Sequence, residues 1–286
     1  GSVVNALGFG RVGVVARGLM LYRLLYSRGK PLGPLKPVGD VQNRRGTTVR
    51  FHPDEEIFGK GAAFDPGWIY RMARSKAYLF GGVEIRWSCD PVLLKEEDKT
   101  PARAEFHFPG GLKDYLAASL DDEVQVTKDI FAGKSERQGG HGSVEWAVTW
   151  YGGDAFLNSY CNTIPTHEGG THEMGFRNVL TRGLKSYAEL VGNKRASAVT
   201  SEDVMISAAG MLSVFIREPE FVGQTKDRLA TVEAVRIVEG AVRDAFDHWL
   251  ADNPQEATKL LDWVIARADE RMRRRQEKEV SRKTAV

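Results

Sequence analysis

The chain has 286 residues, 42% hydrophobic and 27% charged, the balance of a soluble globular protein with room for one large domain or two ordinary ones. Its net charge of +2 is too small to argue for nucleic acid on composition alone, no apolar run approaches the roughly 18–20 residues that span a bilayer, and no signal peptide is evident. Cys89 and Cys161, the only cysteines, make neither a disulfide framework nor a zinc knuckle, which points to a reducing cytoplasm.

The first third reads as strands and turns. Residues 12–17 and 21–26 pair around Gly18, and Lys30-Pro31-Leu32-Gly33-Pro34 breaks the pattern. Residues 45–51 form a short strand with Thr47, Val49 and Phe51 on one face. Asp65-Pro66 then caps a helix with a buried stripe of Ile69, Met72, Ala73 and Leu79, stopped by Gly81-Gly82. Residues 83–89 alternate as a strand, and residues 110–120 form a short helix that ends at Asp121-Asp122-Glu123.

A second unit begins there. Val144, Trp146, Val148 and Trp150 project from one face of a strand, opposite Glu145, Ala147 and Thr149, and residues 157–163 form the next strand. These strands are expected to be neighbours. Thr171 caps a helix over 173–191 with the stripe Phe176, Leu180, Leu184, Tyr187 and Val191, and residues 211–216 are one more strand. Two helices close the chain. One carries Val235, Val238, Val242, Ala245 and Trp249; the other starts after Asn253-Pro254 and carries Leu261, Val264, Ile265, Ala268 and Met272. Beyond Met272 the stripe vanishes and the end is basic (Arg273, Arg274, Arg275, Lys278, Arg282, Lys283), a solvated helix face or a contact for a phosphate backbone. Strands mixed with segregated helices give an α+β chain in two units.

Three constellations carry chemical suggestions. Gly8, Gly10 and Gly13 spell G-x-G-x-x-G after an apolar stretch, the pattern that brings a backbone against a dinucleotide pyrophosphate, and it supports a nicotinamide-dependent oxidoreductase as one alternative. Against it, no second strand ends in an acidic residue about 20 positions on. His167 and His172 flank Glu168-Gly169-Gly170-Thr171; their spacing is wrong for a zinc-protease helix, and the glycines favour a strand-to-helix turn. Gly223-Gln224-Thr225-Lys226 lies in a polar loop, where a lysine binds phosphate as a mobile point charge and Gln224 donates an amide hydrogen bond.

At that loop the sequence becomes familiar. Phe221-Val222-Gly223-Gln224-Thr225-Lys226-Asp227-Arg228-Leu229 resembles the phosphate-sensing loop of the ATPase subunits of bacterial type IIA DNA topoisomerases, gyrase B and the B-subunit of topoisomerase IV. The stretches Ser159-Tyr160-Cys161-Asn162-Thr163-Ile164-Pro165-Thr166-His167-Glu168-Gly169-Gly170-Thr171-His172, Arg45-Gly46-Thr47-Thr48-Val49-Arg50-Phe51 and Ser2-Val3-Val4-Asn5-Ala6-Leu7 match in the same order and spacing. Arg74-Ser75-Lys76-Ala77, Gly82-Val83-Glu84-Ile85, Asp114-Tyr115-Leu116, Asp244-Ala245-Phe246 and Trp249-Leu250 look more like topoisomerase IV.

The resemblance implies the C-terminal part of a GHKL-type ATPase sandwich over 1–122 and a ribosomal-S5-like transducer over 123–286. It implies ATP with Mg2+ as cofactors. Its partners would be DNA, the A-subunit of topoisomerase IV and a second copy of the B-subunit joined by ATP-dependent dimerisation, in a cytoplasmic, nucleoid-associated bacterial enzyme that passes one duplex through another. By the same resemblance Lys226 and Gln224 sense the γ-phosphate, Thr47 joins the adenine hydrogen bonds, Val49 lines that pocket and Arg17 stands at the mouth where aminocoumarins bind. The family's general-base glutamate, magnesium-binding asparagine, adenine-reading aspartate and glycine-rich lid match positions before Ser2. No catalytic residue and no metal ligand is therefore expected within this chain, and alone it is expected not to hydrolyse ATP. Residues 8–20 depart from the family's partly acidic strand, which makes the G-x-G-x-x-G a chance match on a divergent hairpin. A third reading is a non-catalytic module contacting DNA through the basic C-terminal helix.

Overall fold

The computed structural model describes residues 7–284, with the backbone alone for Phe9, Asp98 and residues 282–284. Ser2, Val3, Val4, Asn5 and Ala6, which contribute to the resemblance, lie outside the described residues. The chain divides into two compact units, residues 1–69 and 70–286.

The first unit is an antiparallel sheet of β1 (Gly8–Arg17), β2 (Met20–Ser27), β3 (Lys30–Pro31), β4 (Lys36–Asp40) and β5 (Gly46–Pro53), ordered β3-β2-β1-β5 with β4 also on β2. Arg17 faces Met20 across a two-residue turn in which Gly18 (φ 59°) and Leu19 (φ 65°) are both left-handed, the backbone twist that a tight hairpin needs. The short helix α1 (Glu55–Phe58) follows, capped by Asp54. Asp54 is buried and also pairs with Arg28 at 2.9 Å, tying the β2–β3 turn to the strand β5 exit.

This unit overturns the nicotinamide reading. Gly8, Gly10 and Gly13 lie inside β1, antiparallel to both β2 and β5. Pyrophosphate binding by G-x-G-x-x-G needs a strand that turns into a helix N-terminus, and here the backbone amides go to neighbouring strands. A Cβ built on Gly13 meets only Leu24 O, at 3.9 Å. Gly13→Ala is therefore expected to leave thermal stability unchanged or to raise it slightly, since glycine inside a strand costs roughly 0.5–1 kcal/mol against alanine. A large fall in melting temperature would show that the glycine is required.

The second unit holds the remaining elements: the end of α2 (Pro66–Leu79), a hairpin of β6 (Glu84–Ser88) with β7 (Arg103–His107), α3 (Leu112–Leu120), a five-stranded sheet, and the C-terminal helices. Asp65 caps α2 as the sequence suggests, accepting from Trp68 N at 3.0 Å. Its buried stripe differs in part: Leu79 is buried as expected, but Met72 is exposed and Ile69 and Ala73 are only half-buried, while Gly67, Ala77 and Tyr78 are buried instead.

The sheet runs β11-β10-β12-β9-β8, built from β8 (Phe131–Ser135), β9 (Ser143–Trp150), β10 (Phe156–Cys161), β11 (Ile164–Pro165) and β12 (Ala208–Phe215). β9 and β10 share the sheet without being neighbours, because β12 enters between them, parallel to β10 and antiparallel to β9. The parallel pair needs a long crossover, supplied by α4 (Thr171–Leu190) and α5 (Ser201–Met205). β12 is buried along almost its whole length and so carries no alternating pattern; the strand expected over 211–216 is present and begins three residues earlier, at Ala208.

Alternation does hold along β9. Val144, Trp146, Val148 and Trp150 join Phe176, Leu180 and Leu184 of α4 in one core, with α6 (Glu233–Asp252) and α7 (Pro254–Thr284) on the same side. Ala147, Tyr160 and Met211 face the other way, onto Tyr78, Leu79, Leu112, Leu116 and Leu120. Each fully buried leucine or phenylalanine contributes roughly 1.5–3 kcal/mol of transfer free energy. In α6 the buried stripe is Ala234, Val238, Val242, Phe246 and Leu250, not one through Ala245, which is exposed. A spacing of four advances the buried stripe about 40° round the helix at each step, whereas the three-and-four stripe through Val235 keeps to one face, so the two coincide only at Val238 and Val242.

α7 is fixed at Arg271, whose guanidinium meets the buried Asp203 at 2.8 Å and donates to Ala198 O at 3.0 Å. Burial acts to raise the Asp203 carboxyl, and hydrogen bonds from Arg271 and Thr200 outweigh it and hold it low. From Arg273 to Ser281 every residue is exposed. Among the described residues no helix is long and apolar enough to cross a membrane.

Candidate functional site

Residues 223–227 form the tip of a small hairpin between β13 (Phe221–Val222) and β14 (Arg228–Leu229). Gly223 (φ 76°) and Lys226 (φ 61°) are both left-handed, which turns the chain sharply at each end. Gln224, Thr225 and Lys226 are exposed. The Lys226 Nζ lies 6.0 Å from the centroid of the Phe221 ring, at the outer edge of cation–π range, and has no carboxylate partner among the described residues. A strongly hydrated, unpaired ammonium on an exposed tip is free to meet an anion.

The base of the hairpin is held far more tightly than the tip. Glu168 N donates to Asp227 O at 2.9 Å and Leu229 N to Gly169 O at 3.0 Å. Gly170 (φ 141°) bridges Leu229 so closely that a Cβ would stand 2.3 Å from the Leu229 carbonyl oxygen. Ala230 N donates to Glu220 O, and Glu220 N to Thr231 Oγ1, both at 2.8 Å. Thr171 does not cap α4. Gly170 takes the cap position without a side-chain bond, and the Thr171 hydroxyl donates instead to Thr231 O at 2.7 Å.

Beneath this base the turn from β11 into α4 is wired by three buried side chains and the partly buried Glu173. His172 is fully buried and its Nε2 lies 2.9 Å from Thr166 Oγ1; Thr166 Oγ1 lies 2.6 Å from Ser159 Oγ; Ser159 donates to Glu173 Oε1 at 2.7 Å. Burial lowers the His172 imidazole to about 4, which keeps it neutral. His167, by contrast, is exposed, so the two histidines do not share an environment. Among the described residues no three His, Cys, Asp or Glu side chains are grouped to hold a metal ion. Ser159, Thr166, Glu173 and Thr231 were not legible as site residues. Three of them lie in or next to the stretch carrying the resemblance, but nothing in their spacing discloses that they meet.

The first unit brings the other candidates together. Thr47 faces Val15 and Val49 faces Gly13 across the β1–β5 ladder, so alternation puts Arg17 on the same face as both. Arg17 and Thr47 are exposed and Val49 is 46% exposed. With no side chain at Gly13 opposite it, Val49 stays open, and Thr47 stands between Val49 and Arg17 along that face.

A sequence profile of the DNA gyrase B family matches residues 111–280. The chain belongs to that family. It is 63% identical over 285 residues to the B-subunit of DNA topoisomerase 4 of Bartonella bacilliformis and 54% identical over 290 residues to that of Caulobacter vibrioides, each match covering 100% of this chain and 41% of the relative. This family member thus spans well under half the length of the curated relatives it matches. Among solved structures it resembles the 43K ATPase domain of Thermus thermophilus gyrase B in complex with an aminocoumarin (TM-score 0.78, 29% identity, 98% of this chain and 74% of that one). It also resembles the topoisomerase IV ATP binding domain of Francisella tularensis with a small-molecule inhibitor (TM-score 0.72, 27% identity, 95% of this chain and 72% of that one).

Proposed function

We propose that this gyrase B family member is the nucleotide-sensing and transducing portion of a topoisomerase IV B-subunit. Residues 1–122 would complete one side of an ATP site and residues 123–286 would form the transducer. The observation that carries this reading is the Lys226 tip, an unpaired cation on a hairpin whose base is rigidly held. The larger apolar core draws every member from residues after 125, which supports a domain starting near 123. Thr47, Val49 and Arg17 fit the adenine end and its mouth, since one exposed face offers a hydroxyl, an apolar floor and a cation. When bound, ATP with Mg2+ supplies the phosphoanhydride whose hydrolysis drives strand passage.

In this reading a second copy of the same protein and the A-subunit of topoisomerase IV complete the working enzyme, and DNA is its substrate. The exposed basic residues of α7 (Arg273, Arg274, Arg275, Lys278) suit a phosphate backbone. The setting would be the bacterial cytoplasm and its nucleoid.

Trypsin tests the sensor directly, because it cleaves after an exposed lysine. In the full-length protein, a non-hydrolysable ATP analogue is expected to slow cleavage after Lys226 at least several-fold, with ADP protecting less. Equal cleavage with and without the analogue would overturn the reading.

A further inference from the structure

The side chains under the Lys226 hairpin (Ser159, Thr166 and His172 buried, Glu173 partly so) have one consistent arrangement of protons once Ser159 donates to Glu173. Ser159 has a single hydroxyl hydrogen, and its shortest contact with an obligate acceptor is Glu173 Oε1 at 2.7 Å, where a carboxylate makes the bond charge-assisted. Ser159 Oγ must then accept from Thr166 at 2.6 Å. Thr166 has spent its own hydrogen, so His172 Nε2 must donate to it at 2.9 Å. The chain runs one way, from imidazole N–H through two hydroxyls to a carboxylate. It also explains an otherwise odd feature: among the described residues His172 Nδ1 is buried without a hydrogen-bond partner. It is the bare lone pair of the tautomer that the chain demands. Leaving a buried acceptor unmet costs free energy, so this imidazole is held in place at some expense.

These residues bracket the segment to which the hairpin is bonded. Thr166 and His172 stand at either end of the turn 167–171, and that turn supplies Glu168 N to Asp227 O and Gly169 O to Leu229 N. Glu173 closes the circuit at the first turn of α4, where its carboxylate also favours the helix N-terminus.

We propose that His172, Thr166, Ser159 and Glu173 are positioning residues for the phosphate sensor: their one-way hydrogen-bond chain fixes the turn 167–171, and through it the place of Lys226. The inference rests on the sensor reading of Lys226. Orientation of a group that contacts the reacting phosphate affects turnover more than it affects binding of the rest of the nucleotide.

Thr166→Val keeps the shape and removes the hydroxyl; Thr166→Ser keeps the hydroxyl. In the full-length protein, Thr166→Val is expected to lower kcat for ATP hydrolysis about tenfold while KM moves less than about twofold, and Thr166→Ser is expected to restore the wild-type rate. In the 286-residue chain, hydrogen exchange at the Leu229 amide is expected to quicken in Thr166→Val, while β9 and β12 amides stay protected. Should Thr166→Val fail to fold, Ser159→Ala is read in the same way. Lys226→Ala, run in parallel, separates the two ideas. If Lys226→Ala hydrolyses ATP normally, the sensor reading falls. If Lys226→Ala is impaired while Thr166→Val turns over at the wild-type rate, or if Thr166→Ser is as slow as Thr166→Val, the positioning chain is overturned.

Discussion

Lys226→Ala, made in the full-length protein, is expected to keep measurable nucleotide binding and to lose most ATP hydrolysis and strand passage. The substitution isolates the charge. Lys226 sits at φ 61°, and alanine meets the same backbone constraint there, so the hairpin tip changes little in conformation. What disappears is an ammonium with no carboxylate partner among the described residues. A charge-assisted contact of this kind contributes roughly 1.5–3 kcal/mol, or about one to two powers of ten in the equilibrium it supports. Adenine binding is expected to survive, because Thr47 and Val49 lie on a separate strand that the change does not touch. A contact made with ATP and absent after phosphate leaves is also what a ligand needs to shift a conformational equilibrium. Gln224→Ala is expected to do less, since a neutral donor is the weaker partner. Wild-type hydrolysis by Lys226→Ala would leave an ordinary solvated lysine.

The second large effect is expected at Gly170. Its φ of 141° disfavours any side chain, and a Cβ would stand 2.3 Å from the carbonyl oxygen of Leu229 and 2.7 Å from its nitrogen. Those atoms are backbone, so no rotamer change relieves the clash. Leu229 is itself buried in the main core and bonded to Gly169, which leaves the β14 strand nowhere to retreat. Backbone strain and overpacking each cost about 1–3 kcal/mol, so Gly170→Ala is expected to destabilise the chain by about 3 kcal/mol. At about 2–4 °C per kcal/mol, thermal unfolding should begin roughly 10 °C lower. A melting temperature within about 2 °C of wild type would mean that the turn and β14 are not pressed together. Gly13→Ala, in an open strand position, is the matched control.

These two glycines illustrate what the sequence could and could not disclose. Gly13 belongs to a motif with a strong chemical association, yet its setting between β2 and β5 makes it an ordinary strand residue. Gly170 lies in the segment between His167 and His172, where spacing suggests only a turn, and its necessity comes from a strand more than fifty residues away in the chain. Period-two alternation located β9 with its correct faces, because one side meets helices and the other a different apolar layer. β12 is buried on both faces and shows no alternation, and the strand read over 211–216 lies at Ala208–Phe215, its start three residues earlier. Helix stripes are legible in part: on α4 Phe176, Leu180, Leu184 and Tyr187 are buried but Val191 is exposed, and on α6 Val238 and Val242 are buried while Val235, Ala245 and Trp249 each lie one position from a buried residue. The loop with Gln224 and Lys226 and the strand with Thr47 and Val49 were found through resemblance to a family. The hydrogen-bond chain from His172 to Glu173 was not found, since its members come from β10, a turn and α4 and meet only after the sheet has formed.

The final helix acts as a pointer as well as a packing element. Arg271 clamps α7 to Asp203 and Ala198, and beyond it every described side chain but Met272 is exposed. The stretch from Met272 to Thr284 extends roughly 18 Å at 1.5 Å per residue. Pivoting about the clamp, a tilt of about 10° displaces the tip by roughly 3 Å, a shift comparable to the length of a hydrogen bond. Small rearrangements where α7 rests on α5, α6 and residues 194–198 are thus magnified at its far end. Whatever the tip meets would experience them as motion rather than as a change in chemistry.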